Sequence, residues 1–178
     1  MRLTYLAFES PIGWIAAAET SRGIALVEFL GPGPEPDAAS DVRVSAAIRA
    51  SYPDAVLEPG AGVLCGRARA HIIDYLQKRT PVPELPLDLR KGSSFDRSIW
   101  KAIGAIPFGE TRTYKEISAA AGVPAGARAA GNACGRNPVP ILIPCHRVVA
   151  SGGKLGGFSG GLDIKRALLG LESETVWR

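Results

Sequence analysis

The chain has 178 residues, which is enough for one large domain or two small ones. It has no apolar run near the roughly 20 residues that cross a bilayer, no cleavable leader pattern, and no disulfide framework among its three spaced cysteines, so we expect a soluble cytoplasmic protein with no membrane partner. Its charge is uneven, because residues 1–90 are net −2 whereas residues 91–178 carry 12 Lys and Arg against 6 Asp and Glu and are net +6. The second half would therefore attract a polyanion such as nucleic acid, or it is an ordinary solvated basic surface.

The first third of the chain alternates β-rich runs with turn signals. The predicted strands are residues 3–8, 14–19 and 24–30, separated by "SPIG" and "SRG". Residues 31–40 are rich in proline and glycine and predict a loop, because proline cannot continue a central strand or a helix. Helical spacing of apolar residues predicts helices over about 40–51 and 63–78, and residues 84–89 predict an extended edge segment.

The composition changes at "RKGSS", residues 90–94, which we take as the boundary between two domains, 1–90 and 91–178. Ser94 is the predicted N-cap of a helix with an apolar face formed by Phe95, Ile99, Ala102, Ile103 and Ile106. Further along, the elements predicted are a helix from Tyr114 opened by the capping box of Thr113 and Glu116, a glycine-containing turn, a helix over 125–134, a strand over 139–144, a Gly-rich loop over 151–161 and a helix over 162–172. The helices on either side of the glycine turn form a helix-turn-helix pattern.

The second helix of this pattern has almost no large side chains, since residues 125–134 are alanine and glycine apart from Arg128, Asn132 and Cys134. An ordinary helix is about 10–12 Å across, whereas the minor groove of DNA is only about 6 Å wide. A stripped helix lets its backbone approach that groove while Arg128 reaches inward, which predicts DNA binding with little sequence specificity. Close packing between helices explains the same composition, and the residues leave both explanations open.

A thiol, an imidazole and a guanidinium follow one another at Cys145, His146 and Arg147. A lone cysteine after an apolar run is usually a small buried residue, but a base or a cation nearby would lower its pKa from about 8.5 and make it a nucleophile. In a continuing strand His146 would point away from the sulfur, so a contact requires a turn over 144–146 or a bridging water.

Two more residues are candidates to support this group. Glu172 ends the last helix and could fold back to orient His146. Asn137 precedes Pro138 and either ties the two neighbouring backbone segments together or is a plain turn residue.

The run "NPVPILIPCHRVV", residues 137–149, resembles the signature of the O(6)-alkylguanine-DNA alkyltransferases, also called methylated-DNA–protein-cysteine methyltransferases. Residues 95–118, 127–138 and 156–172 are similar to other segments of that family in the same order. The resemblance implies an α/β (α+β) fold of two domains. The N-terminal domain would be ribonuclease H-like, with a three-stranded antiparallel sheet and helices, and the C-terminal domain a mainly helical, winged helix-turn-helix domain that binds DNA and accepts the alkyl group.

The activity implied by this resemblance is DNA repair by direct reversal of damage. An O(6)-alkylguanine, and also an O(4)-alkylthymine, would be flipped out of duplex DNA, and its alkyl group would pass irreversibly to Cys145 in a single turnover. In the family's pattern His146 deprotonates Cys145 through water and Glu172 orients His146. Tyr114 gives a proton to the leaving guanine, and Asn137 supports the turn at Cys145.

The resemblance also implies the remaining contacts. Arg128 would fill the vacated base stack, and the other residues placed at the DNA are Thr113, Ala127, Ala129 and Gly131. Val148, Phe158 and Ser159 would line the substrate pocket. The partner implied is double-stranded DNA, bound in the minor groove by a protein that is a monomer in solution, with cooperative binding left open. We expect no cofactor. We also expect no metal: some family members bind zinc in the N-terminal domain through Cys and His side chains, but here Cys65 and His71 are the only candidate ligands, so the set is incomplete.

Two other hypotheses compete with alkyl transfer. In the first, the helix-turn-helix only binds DNA and Cys145 is structural. In the second, Cys145 belongs to a hydrolase or is a redox-sensing thiol, which requires a histidine distant in sequence and finds only His71.

Overall fold

The structure is a computed structural model that describes residues 1–33, 38–60, 62–78 and 80–173. The chain forms two compact units, Met1–Asp88 and Leu89–Arg178. Across the described residues, every helix is too short or too polar to cross a membrane. The predicted α/β fold of two domains is confirmed.

The first unit is a sheet with two helices. Its elements are β1 (Arg2–Ser10), β2 (Gly13–Thr20), β3 (Gly23–Gly31), α1 (Ala38–Ser51), β4 (Val56–Pro59) and α2 (Val63–Lys78). The three predicted strands and both predicted helices are confirmed. The predicted loop over 31–40 is wrong at its end, where 38–40 already belong to α1, and its residues 34–37 lie outside the described residues. β2 lies inside the sheet, and four of its residues in a row, Ile15 to Ala18, have no exposed surface.

The sheet has four strands, in the order β3-β2-β1-β4, where three were predicted. β1, β2 and β3 pair antiparallel as expected, whereas β4 pairs parallel with β1, from Arg2 opposite Val56 to Tyr5 opposite Pro59. β4 is only four residues long and ends in proline, so its own sequence lacks the alternation that predicts a strand. Its pairing depends on the free edge of β1. The extended segment over 84–89 is confirmed by a bridge between Leu87 and Ile24.

The second unit is mainly helical. Its elements are α3 (Ser94–Gly104), β5 (Arg112–Thr113), α4 (Tyr114–Ala120), α5 (Ala127–Gly135), a 3₁₀ helix (Cys145–Arg147), β6 (Val148–Val149), a second 3₁₀ turn (Ser151–Gly153) and α6 (Leu162–Glu172). β5 and β6 form a short parallel pair. The predicted helix over 162–172 is confirmed.

The N-cap of α3 is Ser93, so the prediction of Ser94 is wrong by one residue. The Ser93 side chain accepts a hydrogen bond from the amide of Asp96, and the Asp96 carboxylate accepts one from the amide of Ser93. Ser94 could not form this capping box because the residue three positions on is Arg97, which has no acceptor. α3 buries Ile99 and Ile103 as predicted, together with Trp100.

The helix-turn-helix is confirmed. Thr113 and Glu116 form the predicted capping box at the start of α4. Gly122 ends that helix with φ +80°, a conformation that favours glycine. The turn then extends to Gly126, whose amide donates to Ser118 Oγ at 3.0 Å, so α5 begins two residues later than predicted.

The strand predicted over 139–144 is wrong. These residues form a tight turn in which Pro140 bridges to Ile143, and the Ile143 amide donates to the Val139 carbonyl at 2.9 Å. Ile141 at the tip has φ +71°, which is uncommon for a β-branched residue. The prolines at 138, 140 and 144 have no N–H for a strand ladder, so the apolar run turns back on itself.

Candidate active site

Asn137 holds the Cys145 sulfur in place. Its side-chain nitrogen donates to Cys145 Sγ at 3.1 Å and to the Ile143 carbonyl at 2.9 Å, and its oxygen accepts from the Val139 amide at 3.1 Å. One buried amide therefore ties the end of α5 to the turn over 139–144 and to the thiol, as the first of the two interpretations of Asn137 requires. Cys145 opens a 3₁₀ helix, which supplies the change of direction that a strand could not.

His146 and Arg147 meet the carboxylate of Glu172 inside the unit. His146 Nε2 lies 2.9 Å from Glu172 Oε1, and Arg147 contacts both oxygens, through Nε at 2.8 Å and Nη2 at 2.9 Å. The amide of Gly109 also donates to this carboxylate, at 3.0 Å. The Glu172 side chain is only 1% exposed, and Arg147 additionally donates to the carbonyl of Ile106 at 2.7 Å. The predicted pairing of Glu172 with His146 is thus present in the structure.

Burial controls the protonation of this group. It lowers the pKa of His146, against the opposing effect of Glu172, so the imidazole is neutral at pH 7. With Nε2–H donating to the carboxylate, the lone pair of that tautomer is on Nδ1, which can accept a proton.

Burial raises the pKa of Cys145 to about 11, although the hydrogen bond from Asn137 and the charge of Lys165 act in the other direction. The expected lowering of the thiol pKa is therefore outweighed, and the resting thiol is protonated. A base must take its proton when it reacts.

A cavity of about 280 Å³ opens beside the thiol. Its lining residues are Tyr114, Gly131, Cys134, Gly135, Cys145, Gly157, Phe158 and Ser159. The predicted pocket residues Phe158 and Ser159 therefore lie at this cavity, together with Tyr114, whose hydroxyl donates to the Gly157 carbonyl at 3.3 Å. Val148 is not in that lining; it is buried in β6. Burial raises the pKa of Tyr114, which keeps its phenol protonated at neutral pH.

The residues predicted to contact DNA lie around the helix-turn-helix. Arg128 and Ala129 are exposed on α5, whereas Ala127 and Gly131 are half-buried and Thr113 caps α4. Within the described part of the chain, Arg128 forms no ion pair, so its guanidinium is available to a ligand. Ala130 and Ala133 are buried, which means that the small residues of α5 serve close packing on one face and leave another face bare.

Lys165 was not predicted as a site residue. It is fully buried, and its Nζ donates to the carbonyls of Val148 at 2.6 Å, Leu155 at 2.5 Å and Gly157 at 3.1 Å. Burial lowers its pKa to about 8. The sequence does carry a signal for it, because Lys165 precedes Leu168 and Leu169 by three and four residues and so lies on the apolar face of α6. Over the described ranges, no three His, Cys, Asp or Glu side chains are grouped to hold a metal ion.

Comparison with known proteins finds one family, and the family model matches the second unit, which contains this site. Residues 94–174 match the family described as 6-O-methylguanine DNA methyltransferase, DNA binding domain. The methylated-DNA–protein-cysteine methyltransferase of Mycolicibacterium paratuberculosis is 54% identical over 89 residues, which is 50% of this chain and 53% of the relative. That of Methanosarcina acetivorans is 36% identical over 168 residues, 94% of this chain and 97% of the relative. A crystal structure of Mycobacterium tuberculosis OGT in complex with DNA has a TM-score of 0.76 at 33% identity, covering 98% of this chain and 94% of that one.

The fold and the site define a two-domain α/β protein with a helix-turn-helix built around a buried, hydrogen-bonded thiol. The chain belongs to the methylated-DNA–protein-cysteine methyltransferase family. It spans about half the length of several of the relatives it matches, because those alignments are confined to one half of each chain.

Proposed function

We propose that this protein repairs DNA by direct reversal, moving the alkyl group from O6 of guanine, or O4 of thymine, onto the sulfur of Cys145 once per molecule. The observation that carries the proposal is the position of that sulfur. It lies in the wall of a cavity, held by Asn137, next in sequence to a histidine that is paired with a buried carboxylate. The names of the relatives support the same chemistry.

The transfer begins with removal of the thiol proton. His146 is neutral and takes that proton through a water, and Glu172 stabilises the imidazolium that forms. The thiolate then attacks the alkyl carbon, which suits it because a soft sulfur nucleophile reacts well with a carbon electrophile. The new C–S bond forms as the bond to O6 breaks, the electron pair leaves with guanine, and Tyr114 supplies a proton to the leaving base. The thioether is not hydrolysed, so the protein is consumed.

The base must leave the duplex before it can enter the cavity, at an unstacking cost of a few kcal/mol. The bare face of α5 supports an approach to the minor groove with little sequence specificity, with Ala127, Ala129 and Gly131 allowing close contact and Thr113 near the backbone. Arg128 fills the space that the base vacates. Phe158 and Ser159 line the pocket, and we extend the proposal to the backbone of Val148, which would contact the base. The protein would act as a cytoplasmic monomer on double-stranded DNA.

Intact mass spectrometry tests this function. Wild-type protein mixed with a duplex that contains one O(6)-methylguanine should gain the mass of one methyl group, mapped to Cys145 by peptide analysis. Cys145→Ala should gain nothing, whereas the matched control Cys65→Ala should gain as the wild type does, because Cys65 lies in the first unit. Binding to the damaged duplex without any mass gain would instead favour the DNA-binding module in which Cys145 is structural.

A further inference from the structure

The C-terminal end of α5 is fastened to α3 by two side chains. The indole nitrogen of Trp100 donates to the carbonyl of Ala133 at 2.8 Å. Three residues further along, the Arg136 guanidinium donates to Asp96 Oδ1 through Nε at 3.2 Å and Nη2 at 2.6 Å. α3 therefore holds the last turn of α5 immediately before Asn137.

Asp96 is a rigid anchor for Arg136. Its second oxygen, Oδ2, accepts hydrogen bonds from the Ser93 amide at 3.1 Å and from the Ser93 hydroxyl at 2.8 Å, and the residue is only 6% exposed. A carboxylate held through both oxygens has little freedom to rotate, and charge-assisted hydrogen bonds such as those from Arg136 are among the stronger ones. The start of α3 therefore sets the position of the guanidinium, although about half of the Arg136 side chain is exposed.

The end of α5 needs such an anchor, because its own hydrogen bonds are long and shared. The Arg136 amide donates to the carbonyls of both Asn132 and Ala133, at 3.2 Å each, and Gly135 precedes it. Helix ends fray, and a glycine in the last turn adds backbone freedom. Any rotation of the backbone at Arg136 passes directly to Asn137, which is the next residue.

The orientation of Asn137 affects the thiol. Its side-chain nitrogen lies 3.1 Å from Cys145 Sγ, and this hydrogen bond favours the thiolate, because it is stronger to a negatively charged sulfur. The bond is directional, so a rotation of the backbone that moves the amide weakens it. Arg136 acts on the sulfur through Asn137, because its own guanidinium is bound to Asp96 on α3.

We propose that Arg136 is a positioning residue for alkyl transfer, whose ion pair with Asp96 fixes the end of α5 so that Asn137 holds the reactive sulfur in the orientation that stabilises the attacking thiolate. This inference rests on the proposed function and adds to it a residue outside the lining of the cavity. The alternative is that the half-exposed guanidinium binds a DNA phosphate, and the experiment separates the two.

Single-turnover transfer from a duplex with one O(6)-methylguanine, followed by mass at increasing protein concentrations, gives an affinity for the DNA and a maximal rate. Arg136→Ala should lower the maximal rate by about tenfold, since a misplacement of about 1 Å can cost roughly a hundredfold. Its affinity should equal that of the matched control Arg97→Ala, which removes an exposed arginine from α3 and should keep the wild-type maximal rate. Arg136→Lys keeps a cationic donor for Asp96 and should recover most of the loss.

A double-mutant cycle tests whether the ion pair acts as a unit. Asp96→Asn removes the charge but keeps the size of the side chain and an oxygen for the capping box, and it should lower the maximal rate as Arg136→Ala does. Combining the two substitutions should lower the rate no further, because the same link is already broken. All rates are compared at a temperature where circular dichroism shows every variant to be folded.

The outcomes separate this inference from the proposed function. Failure of wild type to take up a methyl group would overturn the proposed function itself. An unchanged maximal rate in Arg136→Ala would overturn the inference alone, and weaker binding of that variant to the duplex would then assign the guanidinium to a phosphate. Losses that multiply in the double variant would overturn it as well, because Arg136 and Asp96 would then act independently.

Discussion

At the scale of single residues, the Glu172 carboxylate is the group on which most of the site depends. It accepts from His146, from Nε and Nη2 of the Arg147 guanidinium and from the Gly109 amide, and its side chain is 1% exposed. A buried carboxylate is tolerated only with such a set of donors, and each donor in turn needs the negative charge. Glu172 therefore orients His146 and neutralises Arg147 at the same time.

Glu172→Gln keeps the size of the side chain and removes its charge. We expect the free energy of unfolding to fall by about 3 kcal/mol, because Arg147 is left as a buried cation without a counter-charge. We also expect slower methyl transfer at a temperature where circular dichroism shows the variant to be folded, because the imidazolium of His146 is no longer stabilised. Chemical denaturation and a single-turnover assay measure the two effects.

Glu110→Gln is the matched control. Glu110 pairs with Arg112 at 2.8 Å, but both side chains are more than two-fifths exposed. Exposed pairs contribute at most about 1 kcal/mol, so this variant should unfold and react much as wild type does. A loss of stability as large as that of Glu172→Gln would show that the buried ion pairs of Glu172 contribute no more to stability than an exposed pair does.

At the scale of elements, local patterns predicted the helices of the second unit and failed at the segment before Cys145. The capping box of Thr113 and Glu116 is complete within four residues, so the sequence alone locates the start of α4. Residues 139–144 have the apolar, β-branched composition of a strand, but their conformation depends on prolines and on the side-chain amide of Asn137, which hydrogen-bonds to the backbone of Val139 and Ile143. Cavity-lining Cys134 was also missed as a site residue, because neighbours across a cavity leave no periodic signal.

The exposed face of α5 can be tested through its one long side chain, Arg128. Arg128→Ala removes the exposed guanidinium from the bare face and should slow transfer from duplex DNA by roughly tenfold or more, since an unfilled stack costs part of the unstacking energy. Transfer from the free base O(6)-benzylguanine, which needs no flipping, should be unchanged. Both rates come from the gain of mass with time.

The control for this variant must lose the same charge elsewhere. Arg166→Ala does so on α6, where Arg166 pairs with the exposed Asp163 at 2.9 Å. It should affect transfer from duplex DNA much less than Arg128→Ala does. If both variants slow the duplex reaction equally, the effect is one of net charge, and the proposed role of Arg128 in the base stack is wrong.

At the scale of the whole molecule, the family resemblance predicted the two-domain fold, and the uneven charge identified the half that contains the helix-turn-helix. The fourth strand of the first unit could not be predicted, because β4 pairs with the first strand of the chain across more than fifty residues. The position of Lys165 on the apolar face of α6 is visible in the sequence, but its hydrogen-bond partners are not. Whether Lys165 donates to Val148, Leu155 and Gly157 depends on how the loop over 151–161 folds over α6.

Burying this cation makes the stability of the molecule depend on pH. The pKa of Lys165 is about 8 in the folded protein, against about 10.4 for a lysine in an unfolded chain. Between these two values the unfolded state binds more protons than the folded state, so the free energy of unfolding rises with pH over that window. At about 1.4 kcal/mol for each pKa unit, the full rise is about 3 kcal/mol.

Lys165→Met has no group to titrate and should lack this contribution. The melting temperature of wild type minus that of Lys165→Met should therefore increase steadily from pH 8 to pH 10.5, whatever its sign at pH 7. Taking the difference cancels the tyrosine titrations that both proteins share, and the cysteines whose pKa responds to Lys165 stay protonated in the folded protein over this window, because burial raises the pKa of Cys145 to about 11 and that of Cys134 to about 12. Lys101→Met, which removes an exposed lysine of α3, should give a difference from wild type that stays level with pH. The prediction is wrong if the melting-temperature difference between wild type and Lys165→Met stays level or decreases as the pH rises. Lys165 would then keep its charge in the folded protein at no cost, because its three carbonyl partners fully replace the water lost on burial.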